Sequence, residues 1–145
     1  AKVAAKYNVP CILMHNREDK PYENLMNDVI MDLIESIDIA IEAGVNRKNI
    51  ILDPGIGFAK TYEENLAVMN NLERIKALGF PVLLGTSRKS MIGIALDLPV
   101  DQRVEGTAAT TVMGIMKGCE FVRVHDVLEN KRAAVMTDKI LGAGK

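Results

Sequence analysis

Three short segments of the chain place charged or hydroxyl side chains directly after apolar runs. In one, Pro81-Val82-Leu83-Leu84 breaks at Gly85 into Thr86-Ser87-Arg88-Lys89-Ser90, and helical apolar spacing resumes at Met91, Ile92 and Leu96. A strand, a polar turn and a helix start laid end to end aim backbone N–H groups, hydroxyls and two cations at one small volume, which suits an anion or a polar heterocycle. An ordinary strand-to-helix turn, with a serine cap and its basic residues in water, carries the same signature.

In the second segment Asp53 follows Ile50-Ile51-Leu52 and precedes Pro54-Gly55. A carboxylate at a strand end can accept two parallel N–H bonds from a guanidine-like edge, such as the 2-amino-pyrimidinone edge of a pterin or guanine. It can equally cap the Asp-Pro-Gly turn. In the third, Arg123 and His125 alternate with Val122 and Val124, so the two polar side chains share one face of a strand. Together with Lys89 and Ser90 they suit a phosphate or pyrophosphate. An internal salt bridge from Arg123 to Asp126 or Glu105 is the alternative. Met14 and Phe58 at the same level are apolar walls for a flat ring or core packing. His15 has no metal-ligand partner at a useful spacing.

The elements that must position these residues repeat along the chain. Apolar runs open at Cys11, Ile50, Val82 and Phe121, spaced 39, 32 and 39 residues apart, and helical periodicity follows each one. The spacing predicts strands at Cys11-Ile12-Leu13-Met14, Ile50-Ile51-Leu52, Pro81 to Leu84 and Phe121 to Val124. Helices are predicted over 22–43, 61–78, a short stretch ending at Leu96, 104–116 and 127–141, with Thr61 and Glu64 at capping-box spacing. Ala1 to Tyr7 reads as the tail of a further helix. The class is therefore α/β, built from four parallel (βα) units with every polar cluster on the carboxyl rim of the strands. That rim carries the active site in both open and closed parallel sheets.

Composition narrows the function further. The 145 residues include 18 basic and 19 acidic side chains, which argues against nucleic-acid or membrane binding through bulk charge. No run approaches a membrane span. Cys11 and Cys119 lack a CxxC spacing and read as buried hydrophobes in a reducing, cytoplasmic setting.

Five strings in this order, Leu13-Met14-His15-Asn16, Ile51-Leu52-Asp53-Pro54-Gly55-Ile56-Gly57-Phe58, Gly85-Thr86-Ser87-Arg88-Lys89-Ser90, Arg103-Val104-Glu105-Gly106-Thr107 and Arg123-Val124-His125-Asp126, together resemble the dihydropteroate synthase family. The resemblance implies a (βα)8 TIM barrel that joins 6-hydroxymethyl-7,8-dihydropterin diphosphate to 4-aminobenzoate in folate synthesis and is inhibited by sulfonamides. By that likeness Asp53 grips the pterin edge, and Met14, Phe58, Gly85, Lys89 and Arg123 surround the ring. Ser90, Arg88 and Phe58 serve the aminobenzoate, Arg123 and His125 hold the diphosphate, and Lys89, Arg123 and His125 carry the catalysis. The family's first four units, with their magnesium-associated Asn, have no counterpart here. Residues 1–145 are thus expected to be one domain, strands five to eight of the barrel, inactive alone and homodimeric, with any Mg2+ ligand in the amino-terminal half. Two such half-barrels could pair about a two-fold axis. The rival readings are a pterin-binding methyltransferase domain of the corrinoid type and a non-catalytic pterin-binding module.

Overall fold

The computed structural model describes residues 1–18 and 21–143. Four strands alternate with helices: α1 (Lys2–Tyr7), β1 (Cys11–Met14), α2 (Leu25–Glu42), β2 (Ile50–Asp53), α3 (Tyr62–Asn70), α4 (Leu72–Lys76), β3 (Leu83–Leu84), α5 (Ser90–Leu96), α6 (Val104–Met116), β4 (Phe121–Val122) and α7 (Val127–Gly142). β1 pairs parallel with β2 from Cys11 opposite Ile50 to Met14 opposite Asp53, and β3 pairs parallel with β4, Leu83 opposite Phe121. A parallel bridge between Leu52 and Val82 joins the two pairs, so strand order follows chain order. No helix among the described residues is long and apolar enough to cross a membrane.

One face of this sheet is packed and the other is open. Ile50, Leu52, Val82 and Leu84 point to the helices, where they meet a core containing Val29 and Leu33 of α2 and Val68, Leu72 and Ile75 of α3 and α4. The alternate residues point away from the helices. Of these, Ile12, Met14 and Phe121 are exposed at 51%, 39% and 46%. The period-2 pattern of each strand therefore separates a dry helix side from an uncovered apolar side that ends, at its carboxyl rim, in Asp53 and Arg123.

Helix boundaries follow local chemistry. α2 starts at Leu25, three residues later than periodicity predicts, because the Asn24 side chain caps it by accepting the Asn27 N–H at 3.1 Å. The capping box at Thr61 and Glu64 is formed in both directions. The helix expected over 61–78 is instead two, turned at Asn71, whose side-chain amide donates to the Ala67 carbonyl at 2.8 Å.

β3 and β4 are shorter than expected, since side chains replace backbone partners at both ends. Glu120 accepts the Val82 N–H at 2.9 Å at the start, and the Ser87 hydroxyl accepts the His125 N–H at 3.0 Å at the finish. Both cysteines are free thiols. Cys119 is buried, which pushes its thiol up to about 11.

Candidate functional site

A cleft of about 260 Å³ opens at the carboxyl rim, lined by Met14, Asp53, Phe58, Gly85, Ser87, Lys89, Arg123, Val124 and His125. Each strand contributes at its end or in the loop that follows. The parallel arrangement brings together residues more than a hundred positions apart in the chain.

Asp53 is the acid of the cleft. Its Oδ1 accepts the Gly55 N–H at 2.8 Å, so the turn-capping role is real, and this is the carboxylate's one side-chain hydrogen bond among the described residues. Burial pushes its carboxyl above the ordinary value of 3.8, opposed by that N–H bond and by the cations Lys89, Lys60 and Arg123. Gly55 has to be glycine: its φ is 66°, and a Cβ there would lie 1.9 Å from the His15 carbonyl oxygen.

Lys89 lies across the mouth of the same loop. Its ammonium donates to the Ile56 carbonyl and stands 4.6 Å from the centre of the Phe58 ring, a cation–π contact. Desolvation lowers its pKa below 10.5, partly offset by Asp53. The close approach requires Gly57, where a Cβ would meet Lys89 Cδ at 3.1 Å.

After β4, Arg123 is exposed and forms no ion pair among the described residues. The expected alternative, a bridge from Arg123 to Asp126 or Glu105, is not made. Asp126 is instead held by two parallel bonds from Arg88, at 3.0 and 2.5 Å. Beside it the Ser87 hydroxyl, itself buried, lies 2.8 Å from His125 Nδ1. Arg123 is thus left available to a ligand in the cleft.

Seven of the residues singled out from sequence line this cleft: Met14, Asp53, Phe58, Gly85, Lys89, Arg123 and His125. Arg88 and Ser90 do not. Arg88 engages Asp126 while its own backbone sits at φ 57°, held by the Thr107 hydroxyl on its N–H and Arg103 on its carbonyl. That explains why the Arg103 to Thr107 string travels with the others: it supports the loop without touching the cleft. Ser90 is the exposed first residue of α5 and borders a separate surface depression with Gly93 and Arg103.

Reading the sequence alone gave no role to Ser87, Lys60 or Asn65. Asn65 is buried and accepts the Gly57 N–H at 2.7 Å while donating to the Lys60 and Thr61 carbonyls. Its sequence signal is an amide standing on the apolar face of α3, where Val68 and Met69 are also buried. No group of three or more His, Cys, Asp or Glu among the described residues is arranged to hold a metal ion. The cleft's single carboxylate, set among cations, does not fit one.

A parallel strand–helix layer with a polar cleft at its carboxyl ends is the arrangement in which the βα class of folds places its sites. Sequence comparison makes this specific: residues 1–125 match the pterin binding enzyme family, and the chain belongs to it. It is 72% identical to the dihydropteroate synthase of Clostridium beijerinckii, over 97% of this chain and 53% of the relative. Against the dihydropteroate synthase of Bacillus subtilis it is 60% identical over 99% of this chain and 50% of the relative. The chain therefore spans about half the length of the curated relatives it matches.

Solved structures agree. Dihydropteroate synthase from Clostridium difficile, crystallised in the presence of pteroic acid, superposes with a TM-score of 0.93 at 46% identity, covering 96% of this chain and 53% of that one. The Yersinia pestis enzyme with a pterin–sulfa conjugate gives 0.94 at 36% identity, over 98% of this chain and 56% of that one.

Proposed function

We propose that this chain supplies strands five to eight of a dihydropteroate synthase barrel, with residues 1–145 a single half-barrel domain. The polypeptide that contains it would condense 6-hydroxymethyl-7,8-dihydropterin diphosphate with 4-aminobenzoate. The observation that carries the reading is the meeting of Asp53, Lys89, Arg123 and His125 in one cleft from the end of β2 and the loops after β3 and β4. The names of the relatives at 72% and 60% identity favour it over a methyltransferase domain or a non-catalytic module.

In this reading the Asp53 carboxylate accepts the paired N–H donors of the pterin edge, and Met14 and Phe58 flank the ring above Gly85. Lys89 contacts the ring from the Phe58 side. Arg123 and His125 hold the diphosphate, so that negative charge building on the leaving oxygen meets fixed donors as the methylene C–O bond breaks. The arylamine nitrogen forms the new C–N bond, releases its proton, and dihydropteroate and pyrophosphate result. Ser90, at the start of α5, is assigned to the aminobenzoate carboxylate. Arg88 is reassigned from that role to holding Asp126.

Magnesium is assigned to residues outside this chain, and no step here runs through it. A homodimer is assigned to the outer face of α6 and α7, where Met116, Val135, Met136 and Ile140 are exposed. The free thiols suit a cytoplasmic setting.

Titrating 4-aminobenzoate into the full-length polypeptide tests the function. Saturable binding is expected only with a pterin and pyrophosphate present, and no binding in that ternary setting overturns the assignment. Condensation by the isolated 145-residue chain at the rate of a full-length enzyme would overturn the half-barrel reading.

A further inference from the structure

Lys60 lies near the end of the loop between β2 and α3, half-buried, with no carboxylate in contact among the described residues. Its three donors are all engaged: the Gly55 carbonyl at 3.1 Å, the Phe58 carbonyl at 3.1 Å and His15 Nδ1 at 2.8 Å. Gly55 and Phe58 are the two ends of a turn closed by the Phe58 N–H on the Gly55 carbonyl at 3.1 Å. This turn also offers the Ile56 carbonyl and the Phe58 ring to Lys89. Lys60 and Lys89 therefore hold a common turn.

The third acceptor is itself fixed. His15, 2% exposed, shares a hydrogen bond through Nε2 with the Asp32 carboxylate at 3.0 Å. Asp32 in turn receives two bonds from Arg17, at 2.9 and 3.0 Å. A carboxylate on Nε2 selects the tautomer with the proton there, which leaves Nδ1 as an acceptor for Lys60. The His15 backbone N–H also donates to the Asp53 carbonyl at 2.9 Å, so the same network fixes the end of β2. An apolar side chain of equal length would fill this space without desolvating an ammonium. The geometry that only an ammonium supplies is three-way donation to the turn and to His15.

We propose that Lys60 is a positioning residue that sets the Gly55 to Phe58 turn, and through it Phe58 and Lys89, against the pterin ring without touching the ligand. The inference rests on the assignment of the cleft to a pterin. Burial lowers Lys60 to about 8, with Asp53, Glu64 and Asp32 raising it and Lys89 lowering it. His15, Arg17 and Tyr22 are its other charged or titratable neighbours. Above that pH a neutral amine has two protons for three acceptors.

The test is equilibrium binding of a dihydropterin and, separately, of pyrophosphate to the full-length polypeptide and its Lys60→Met variant. Pterin affinity is expected to fall roughly tenfold in Lys60→Met, in keeping with the loss of hydrogen bonds from a charged donor. Pyrophosphate affinity should stay within a factor of two or so, since Arg123 and His125 follow β4 and, among the described residues, share no hydrogen bond with Lys60 or the Gly55 to Phe58 turn. Wild-type pterin affinity is expected to weaken between about pH 7 and 9 while the variant's profile stays flatter.

Equal pterin affinity in wild type and variant, or an equal loss for both ligands, overturns the clamp. No pterin binding by the wild type overturns the functional assignment and the clamp with it. If Lys60→Met does not fold, the wild-type profile decides, and an affinity unchanged over that pH range overturns the proposal.

Discussion

Ser87 and His125 are locked together across two loops: the serine hydroxyl takes the His125 backbone N–H at 3.0 Å and lies 2.8 Å from its ring Nδ1. One residue further along each loop, Arg88 and Asp126 make the parallel ion pair. The two links hold the β3 and β4 loops in register beyond the point where their backbone ladder ends. They also fix the imidazole by one nitrogen and leave the other for a ligand.

Ser87→Ala should therefore weaken pyrophosphate binding by about fivefold to tenfold, the equivalent of about 1–1.5 kcal/mol for a lost hydrogen bond. Dihydropterin affinity should change little, because Asp53 and Phe58 are on other loops. Calorimetric titration of both ligands checks this, and equal losses for the two would show that Ser87 acts on the whole cleft.

Asp53→Asn should lower dihydropterin affinity by roughly 10- to 100-fold, because a carboxylate bonded to two N–H groups becomes a neutral amide that presents one oxygen. Wild-type affinity should also fall on acidification. Protonation removes the acceptor, and burial places that protonation above the ordinary aspartate value of 3.8. Binding measured from about pH 7 down to 4 should show the loss in wild type and not in the Asn variant.

Asp53, Gly85 and Arg123 were legible in the sequence because each sits one step beyond an apolar run. The topology of parallel units sends every such step to the same rim. α6 was equally legible, its observed span of Val104–Met116 matching the periodic pattern. Asn71 was not, since it falls within an unbroken helical period and the turn there depends on its side chain reaching the Ala67 carbonyl. The choice between Arg88 and Arg123 as the partner of Asp126 was also hidden. Both arginines lie close to the same rim, and only the twist of the loops decides which one reaches the carboxylate. Ser87, Lys60 and Asn65 act through partners as far as 45 residues away, which composition and spacing do not reveal.

Gly55→Ala should uncouple the turn from the sheet. The methyl group would stand 1.9 Å from the His15 carbonyl oxygen, and alanine disfavours the left-handed φ of 66°. Backbone atoms on both sides must move, so a loss of about 1–3 kcal/mol in stability is expected, together with loss of dihydropterin binding. Chemical denaturation with a linear extrapolation measures the first, and direct binding measures the second. Unchanged stability would mean that the loop relocates freely.

The pairing of buried His15 with half-buried Asp32 makes stability depend on pH in one direction. Burial, followed by the charge of Lys60, holds the His15 imidazole below its ordinary 6.5, against the pull of Asp32. In the unfolded chain His15 takes up a proton near 6.5, while the folded protein resists it, so the unfolded state binds more protons and stability falls as pH drops through that value. Asp32 adds to the trend at lower pH. Its hydrogen bond from Arg17 holds it below 3.8, so its contribution is present above the unfolded value and is lost as pH falls through the folded one. Denaturation midpoints are therefore expected to decline in two stages, one beginning near pH 6.5 and one below about pH 4. In His15→Gln the first stage should vanish while the second persists, because the amide keeps a polar group in place without a titration near neutrality. A wild-type midpoint that stays level from about pH 8 to 5 would show that His15 protonates as readily in the fold as in the open chain.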